Sequence, residues 1–223
     1  MVSGMNKTIG IFIPGRLNSE RLPQKLLLPI GDTCLFDRAC KKLNILPGFF
    51  NKYVLIRDYE LIGIAKRYPN IHIIARSRES AAAEGPLSYI FRDMRIVDDT
   101  HLMFLNPCLV FLRCATIKNS IDQFLQSSAD YATSVKPLRN WILNRDGKPI
   151  NKIDYERLTT KEIEPVLQFA HCFHVFNKDS FFEDGYMLKD GFLPLPVPED
   201  ETIDVDTLED FEFVKWKFER GER

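Results

Sequence analysis

Short apolar runs alternate along the chain with segments whose apolar residues return every three or four positions. Ile9-Gly-Ile-Phe-Ile13 reads as a buried strand, which Pro14 and Gly15 end in a turn. Leu35, Ala39 and Leu43 keep the four-residue spacing of an amphipathic helix that Pro47-Gly48 closes. Tyr53–Ile56 predicts a second strand, Glu60 to Arg67 a short helix stopped by Pro69-Asn70, and Ile71–Ala75 another buried strand. Arg76 to Gly85 reads as a loop of small and charged residues, followed by a helix carrying Leu87, Ile90, Phe91 and Met94. His101–Leu105 predicts a strand, Thr116 to Gln126 a helix, and Tyr131–Val135 a strand. This alternation predicts an α/β fold with right-handed crossovers and a doubly wound, mainly parallel sheet covered on both faces.

The rhythm breaks between Lys136 and Val166, a stretch that holds Trp141, a hairpin-like turn at Asn144–Pro149 and a polar run through Glu164. It reads as an excursion from a single domain spanning residues 1–223, with Trp141, Ile142, Leu143 and Ile150 needing a partner surface such as a second copy of the chain. Gln168–Phe176 resumes as a strand. Strict alternation there puts His171 and His174 on opposite faces, which argues against a shared metal ion. Lys178–Glu183 predicts a short helix with Phe181 and Phe182 buried, and Phe192–Pro198 is extended. Leu208, Phe211, Val214 and Phe218 give the last helix an apolar face.

With 223 residues, 45% of them apolar and 27% charged, the chain can bury a full core as one domain. A net charge of −1 argues against a nucleic-acid binder, so an anion site has to be local. The five cysteines, Cys34, Cys40, Cys108, Cys114 and Cys172, lack paired Cys-x-x-Cys spacing; neither a disulfide framework nor a zinc site is indicated, and a reducing cytoplasm fits. Met1 to Met5 is too short and polar for a signal peptide, and no apolar run is long enough to span a membrane.

Chemistry concentrates at the two ends. Arg16, Arg21 and Lys25 place three cations within ten residues directly after the first strand, with Ser19 as a further donor and Pro23 stiffening the backbone. Forked guanidinium groups and a compact ammonium suit a polyphosphate, and ligands of open α/β sheets sit beyond the carboxyl ends of strands. A charged, solvated loop is the plainer alternative. Neither a Walker loop nor a Gly-x-Gly-x-x-Gly turn occurs. Near the C-terminus, Asp204 and Asp206 share parity, with Ile203 and Val205 facing the other way. Such a carboxylate pair is costly without a cation, and Mg²⁺ takes one or two carboxylates together with phosphate oxygens. Asp206 or Thr207 could equally start the final helix as its N-cap, and the residues alone leave both readings open.

The run Ile13-Pro-Gly-Arg-x-x-Ser-x-Arg-Leu-Pro-x-Lys25 resembles the nucleotide-binding signature of the sugar cytidylyltransferases, above all the acylneuraminate (CMP-sialic acid synthetase) group and its Kdo-activating relatives. Ile203-Asp-Val-Asp-Thr-Leu-Glu-Asp-Phe211 is similar to the same family's C-terminal signature, and with the segments between them the resemblance covers most of the chain. It implies a three-layer, Rossmann-like fold of the nucleotide-diphospho-sugar transferase type, a homodimer closed by the excursion, and transfer from CTP to a sialic acid-like sugar acid with release of pyrophosphate. It further implies that Arg16 and Lys25 neutralise phosphates, that Gly15, Ser19 and Arg21 belong to the nucleotide loop, and that Asp204 and Asp206 hold Mg²⁺. Arg76 and Ala81 resemble the family's base-recognising residues, with Glu84 as the candidate for an acidic residue that usually follows. Asn106, Pro107 and Arg113 fit the frame Gln-Pro-Thr-Ser-Pro-Leu-x-Arg that faces the acceptor sugar. Cys108, Leu109 and Val110 replace its polar or rigid members, which implies an unusual acceptor or weakened activity, and Leu26 stands where many sialic acid synthetases have Asn. A nucleotidyltransferase for another base or sugar would share the same ends; a noncatalytic relative would have little reason to keep Arg16, Lys25, Asp204 and Asp206 together.

Overall fold

The computed structural model describes residues 7–82, 85–157, 159–161 and 163–221. Met1 to Met5 and Glu84 lie outside them. In chain order, β1 (Ile9–Pro14) leads through a small hairpin, β2 (Pro29–Ile30) and β3 (Thr33–Cys34), into α1 (Leu35–Ile45). Then come β4 (Asn51–Ile56), α2 (Tyr59–Ala65), β5 (His72–Ala75), α3 (Arg78–Ala82), α4 (Leu87–Ile90), β6 (His101–Leu105) and α5 (Cys114–Gln126). The chain closes with β7 (Tyr131–Leu138), β8 (Val166–Asn177), α6 (Lys178–Asp184), β9 (Leu193–Pro196) and α7 (Leu208–Glu219).

Alternation along β1 divides the interior in two. Ile9, Ile11 and Ile13 are buried against one helical layer, with Leu35, Phe36 and Leu43 of α1, Ile117 and Phe124 of α5, and Phe211 and Val214 of α7. Phe12 is buried on the other face with Phe91, Met94, Phe176 and Phe181. Each large apolar side chain fully buried in this way contributes about 1.5–3 kcal/mol. Gly10 falls on the second face, where a Cβ would lie 2.6 Å from Asp99 Oδ2 and 2.9 Å from the Tyr53 ring. That space is taken because the Tyr53 hydroxyl donates to the same carboxylate.

The sheet has the order β5-β4-β1-β6-β8-β7-β9. Its pairs are parallel except those of β8, which runs antiparallel to both β6 and β7. This is the expected three-layer, mainly parallel α/β architecture.

Several local expectations change. β5 starts at His72 and is an edge strand with one neighbour, so His72 and Ala75 are exposed and the strand is not buried as its apolar run implied. The Arg76 to Gly85 loop contains α3, and the helix expected at Leu87 lasts one turn before a 3₁₀ segment at Arg92–Ile96. On α7, Phe211 and Val214 are buried, but Leu208 is 54% exposed because it begins the helix at the open end of the core.

The largest departure is in β8. The ladder pairs Thr133 with His174 and then Val135 with Phe169, so β8 carries surplus residues in a bulge, with His171 at φ 50°. The buried Ser134 hydroxyl serves this bulge, accepting from the backbone N–H groups of Cys172 (2.9 Å) and Phe173 (3.2 Å). Strict alternation therefore fails, and the His171 and His174 rings come to 5.9 Å from each other beside one cavity instead of facing opposite ways.

Candidate active site

Gly15 gives the chain a tight exit from β1. Its N–H donates to Leu55 O at 3.0 Å, and a Cβ there would lie 2.9 Å from both Ile56 Cγ2 and Leu61 Cδ1. The following loop is fastened at several points. Leu17 N donates to Asp58 Oδ2 at 3.0 Å, Gln24 N donates to Leu17 O at 2.9 Å with Gln24 at φ 55°, and Leu26 is buried in the core. The cations consequently sit on ordered backbone. Arg16, Ser19, Arg21 and Lys25 line a pocket of about 460 Å³, facing Asn106 and Cys108 from the segment after β6. This pocket lies beyond the carboxyl ends of β1 and β6, where the strand order reverses, which is where open α/β sheets bind ligands.

The C-terminal carboxylates reach the same loop. Lys25 Nζ donates to Asp206 Oδ1 and to Val205 O, each at 2.9 Å, and Arg21 pairs with Asp206 Oδ1 at 2.9 Å. Asp204 Oδ2 accepts from Asn106 Nδ2 at 2.9 Å, while its Oδ1 is buried with no hydrogen-bond partner among the described residues. Val205, between the two, is fully buried. The helix cap is a separate device. Thr207 caps α7 through a reciprocal box with Asp210, leaving Asp206 free of that duty. Burial foremost, and then the charge of Asp206, raise the pKa of Asp204 against the opposing effects of Asn106 and Lys25. Burial works to lower the pKa of Lys25 but is outweighed by Cys108, then by the hydrogen bond and charge of Asp206 and by Asp204, so the net shift is upward. An all-oxygen pair with one unsatisfied buried oxygen suits a hard divalent cation that completes its shell with phosphate and water. No cluster of three or more His, Cys, Asp or Glu ligands occurs among the described residues.

Other expected site residues are placed elsewhere. Arg76 is 4% exposed and turned into its own segment, with Nε to Ser80 Oγ at 3.2 Å and a terminal nitrogen to Ser80 O at 2.9 Å. Asp93 ties the segment down by accepting from Ser77 N and from the Ser77 and Ser80 hydroxyls at 2.9–3.0 Å. Burial opposes ionisation of Asp93, but these hydrogen bonds and Arg92 outweigh it and lower its pKa. Neither Arg76 nor Ala81 lines the cation pocket. Arg113 pairs with Asp200 and, at 3.3 Å, with Glu201, and its N–H donates to Glu201 Oε2 at 2.9 Å. The fully buried Glu201 also accepts from Thr116 Oγ1, so it caps the start of α5 from a distant part of the chain. Arg113 thus braces α5 and lies outside the cation pocket.

Sequence reasoning missed Asp58 and Phe104. Asp58 precedes α2 like an N-cap, yet it makes no cap hydrogen bond and reaches across to Leu17. Phe104 lines the cation pocket and also an adjoining apolar cavity of about 240 Å³, shared with Phe91, Met187, Leu188, His171 and His174. Thr133 Oγ1 lies 2.8 Å from His174 Nδ1, and burial, then the charge of His171, pushes His174 down to about 4. A further cavity of about 470 Å³ lies under the excursion, bounded by its own Trp141, Asn151, Lys152 and Asp154.

No protein-family model matches the chain. A pseudaminic acid cytidylyltransferase of Campylobacter jejuni is 21% identical, with 91% of this chain and 93% of that protein aligned. Among solved structures, CMP:2-keto-3-deoxy-manno-octonic acid synthetase complexed with CTP superposes with a TM-score of 0.70 at 14% identity, covering 96% of this chain and 100% of that one. In sequence and in fold the chain is thus similar to sugar cytidylyltransferases. A cytidylyltransferase from Leptospira borgpetersenii shares the fold, with a TM-score of 0.63 at 16% identity over 96% of this chain and 87% of that one. In this shared fold, the two terminal sequence signatures meet across one pocket through the contacts of Lys25 and Arg21 with Asp206.

Proposed function

We propose that the protein transfers the cytidylyl group of CTP to a nonulosonic sugar acid and releases pyrophosphate. The observation that carries this reading is the cation loop of Arg16, Ser19, Arg21 and Lys25 facing Asp204 and Asp206 at the strand-order reversal. The anomeric hydroxyl of the sugar attacks the α-phosphorus in line and gives up its proton to water; the bond from that phosphorus to the bridging oxygen breaks, and charge grows on the departing pyrophosphate. Lys25 and Arg16 neutralise that charge, and Ser19 and Arg21 add donors to the triphosphate. Before substrate arrives, Asp206 holds Lys25 and Arg21 in ordered positions. Asp204, through its unpartnered buried oxygen, and Asp206 would hold Mg²⁺, which supplies charge neutralisation at the phosphates when bound. Asn106 fixes the orientation of Asp204. Cys108 lines the pocket, and burial foremost pushes its thiol up to about 12, which disfavours the thiolate; the in-line route calls for no covalent nucleophile.

In the same proposal Arg76 shapes the Ser77–Ala81 turn, whose backbone and Ala81 would meet the cytosine, while Gly15 and Arg113 act by shaping the loop and the start of α5. The enzyme would be a homodimer built on the excursion between β7 and β8, where Leu143, Ile150 and Tyr155 are exposed. Cytoplasmic residence fits five free cysteines and the lack, among the described residues, of a helix long and apolar enough to cross a membrane. The test is pyrophosphate release with each nucleoside triphosphate and a panel of nonulosonic acids. Turnover is expected with CTP and a divalent cation; equal turnover with all nucleotides, or full turnover in chelator, would sink the assignment.

A further inference from the structure

The segment between β6 and α5 brings Asn106 to the cation pocket and then runs through the core. Cys108, Leu109, Val110, Phe111 and Leu112 are all buried there, none of them more than 7% exposed. A buried irregular stretch has to find partners for its backbone groups. Two of its carbonyls find one in another layer, where Lys42 on the last turn of α1 donates through Nζ to Leu109 O and, at 2.7 Å, to Val110 O. At the far end of the segment the buried Glu201 accepts from Arg113 N at 2.9 Å.

An ammonium group is a costly occupant of this position. Burial foremost, and then Arg38 on the same helix, lower the Lys42 pKa to about 7 against the upward pull of Cys114 on α5, Glu201, and Cys172 on β8. An unbranched apolar side chain of similar length would avoid that cost, so the lysine adds its hydrogen bonds to the two carbonyls. The amine keeps N–H donors in both protonation forms, and the grip therefore outlasts its titration.

This grip lies one turn away from the chemistry. Asn106 Oδ1 accepts from Cys108 N at 3.0 Å, which folds the chain directly ahead of Leu109. From that turn Asn106 Nδ2 donates to Asp204 Oδ2 at 2.9 Å. Lys42, Leu109 and Asn106 border one void of about 10 Å³, which leaves little slack between the amine and the amide.

We propose that Lys42 is a positioning residue for the reaction: by holding the carbonyls of Leu109 and Val110 it seats Asn106 against Asp204 and fixes that carboxylate in the orientation the transfer step uses. The inference rests on the cytidylyltransferase reading and deepens it. Lys42 lies outside the cation pocket, so it acts through the turn and meets no substrate.

The experiment is a double-mutant cycle of Lys42→Met and Asn106→Ala, with kcat read on CTP, Mg²⁺ and a nonulosonic acid and each variant shown by melting to be folded. Lys42→Met should lower kcat about tenfold, the scale for loss of a contact that orients a metal ligand, and leave KM for CTP within about threefold. Because Lys42 acts through Asn106, the double variant should be no slower than Asn106→Ala alone. A second readout needs neither turnover nor metal. Hydrogen exchange of residues 106–112 should quicken about tenfold in Lys42→Met while β1 keeps its wild-type rates. A kcat within about threefold of wild type, losses that multiply in the double variant, or unchanged exchange in residues 106–112 would overturn the inference while leaving cytidylyl transfer intact. If Lys42→Met does not fold, Lys42→Gln takes its place, and failure of both to fold would overturn the inference in favour of a purely structural lysine. Pyrophosphate release by the wild type with none of the acids would overturn both readings.

Discussion

The cation pocket and the apolar cavity beside it are neighbours built in opposite ways. Arg16, Ser19, Arg21 and Lys25 come from one loop, and Asp204 and Asp206 stand two positions apart, so each half of the charged site is local in sequence. The apolar cavity draws Phe104 from β6, His171 and His174 from a bulged strand, and Met187 from the turn after α6. Charge chemistry survives as a short motif because a fixed loop displays it. An apolar cavity exists only once distant elements have packed, and its lining residues resemble ordinary core residues in the sequence.

The largest effect that would sharpen this contrast is expected at Lys25. In the proposed mechanism its contribution grows as the pyrophosphate leaves, so Lys25→Ala should lower kcat by roughly two or more decades while CTP affinity changes much less. Calorimetry showing binding lost, with kcat preserved at saturation, would instead make Lys25 a ground-state tether.

Asp206 and its neighbour separate chemistry from capping. Asp206→Asn should remove most of the rate with little loss of melting temperature, because Thr207 carries the cap and the substitution relieves repulsion with Asp204. Thr207→Ala should do the reverse, costing about 1 kcal/mol of stability in denaturant melts while kcat is retained. A large melting loss in the first variant with its activity intact would return Asp206 to a structural role.

The smallest effect concerns the apolar cavity and pH. His174 is held neutral in the fold, pushed from 6.5 down to about 4, so the unfolded chain binds its proton first as the solution is acidified. Its contribution is present above 6.5 and should be lost as pH falls from there through about 4. His174→Gln should flatten that part of a stability-versus-pH curve; an unchanged slope would place the acid sensitivity elsewhere.

Much of the framework was legible in the sequence. β1 follows from its continuous apolar run because both of its faces are buried, and α1 and α5 follow from apolar spacing because each buries one face against the sheet. Thr207 and Asp210 stand at capping-box spacing, although the parity of Asp204 and Asp206 competed with that signal. Strand parity misled at His171, since a bulge held by Ser134 depends on the register of a strand more than thirty residues away. The apolar run before Arg76 could not reveal an edge, because strand order is a property of the whole sheet. The bracing contacts of Arg113 were hidden for a similar reason: its partners Asp200 and Glu201 lie far along the chain.

Labelled CTP tests the central claim most directly. With the α-phosphorus labelled, and with a nonulosonic acid and Mg²⁺ present, the account predicts label in the sugar nucleotide and an equal amount of unlabelled pyrophosphate. Label appearing in CDP, or release of inorganic phosphate without pyrophosphate, would contradict attack at the α-phosphorus and with it the roles given to Lys25, Asp204 and Asp206.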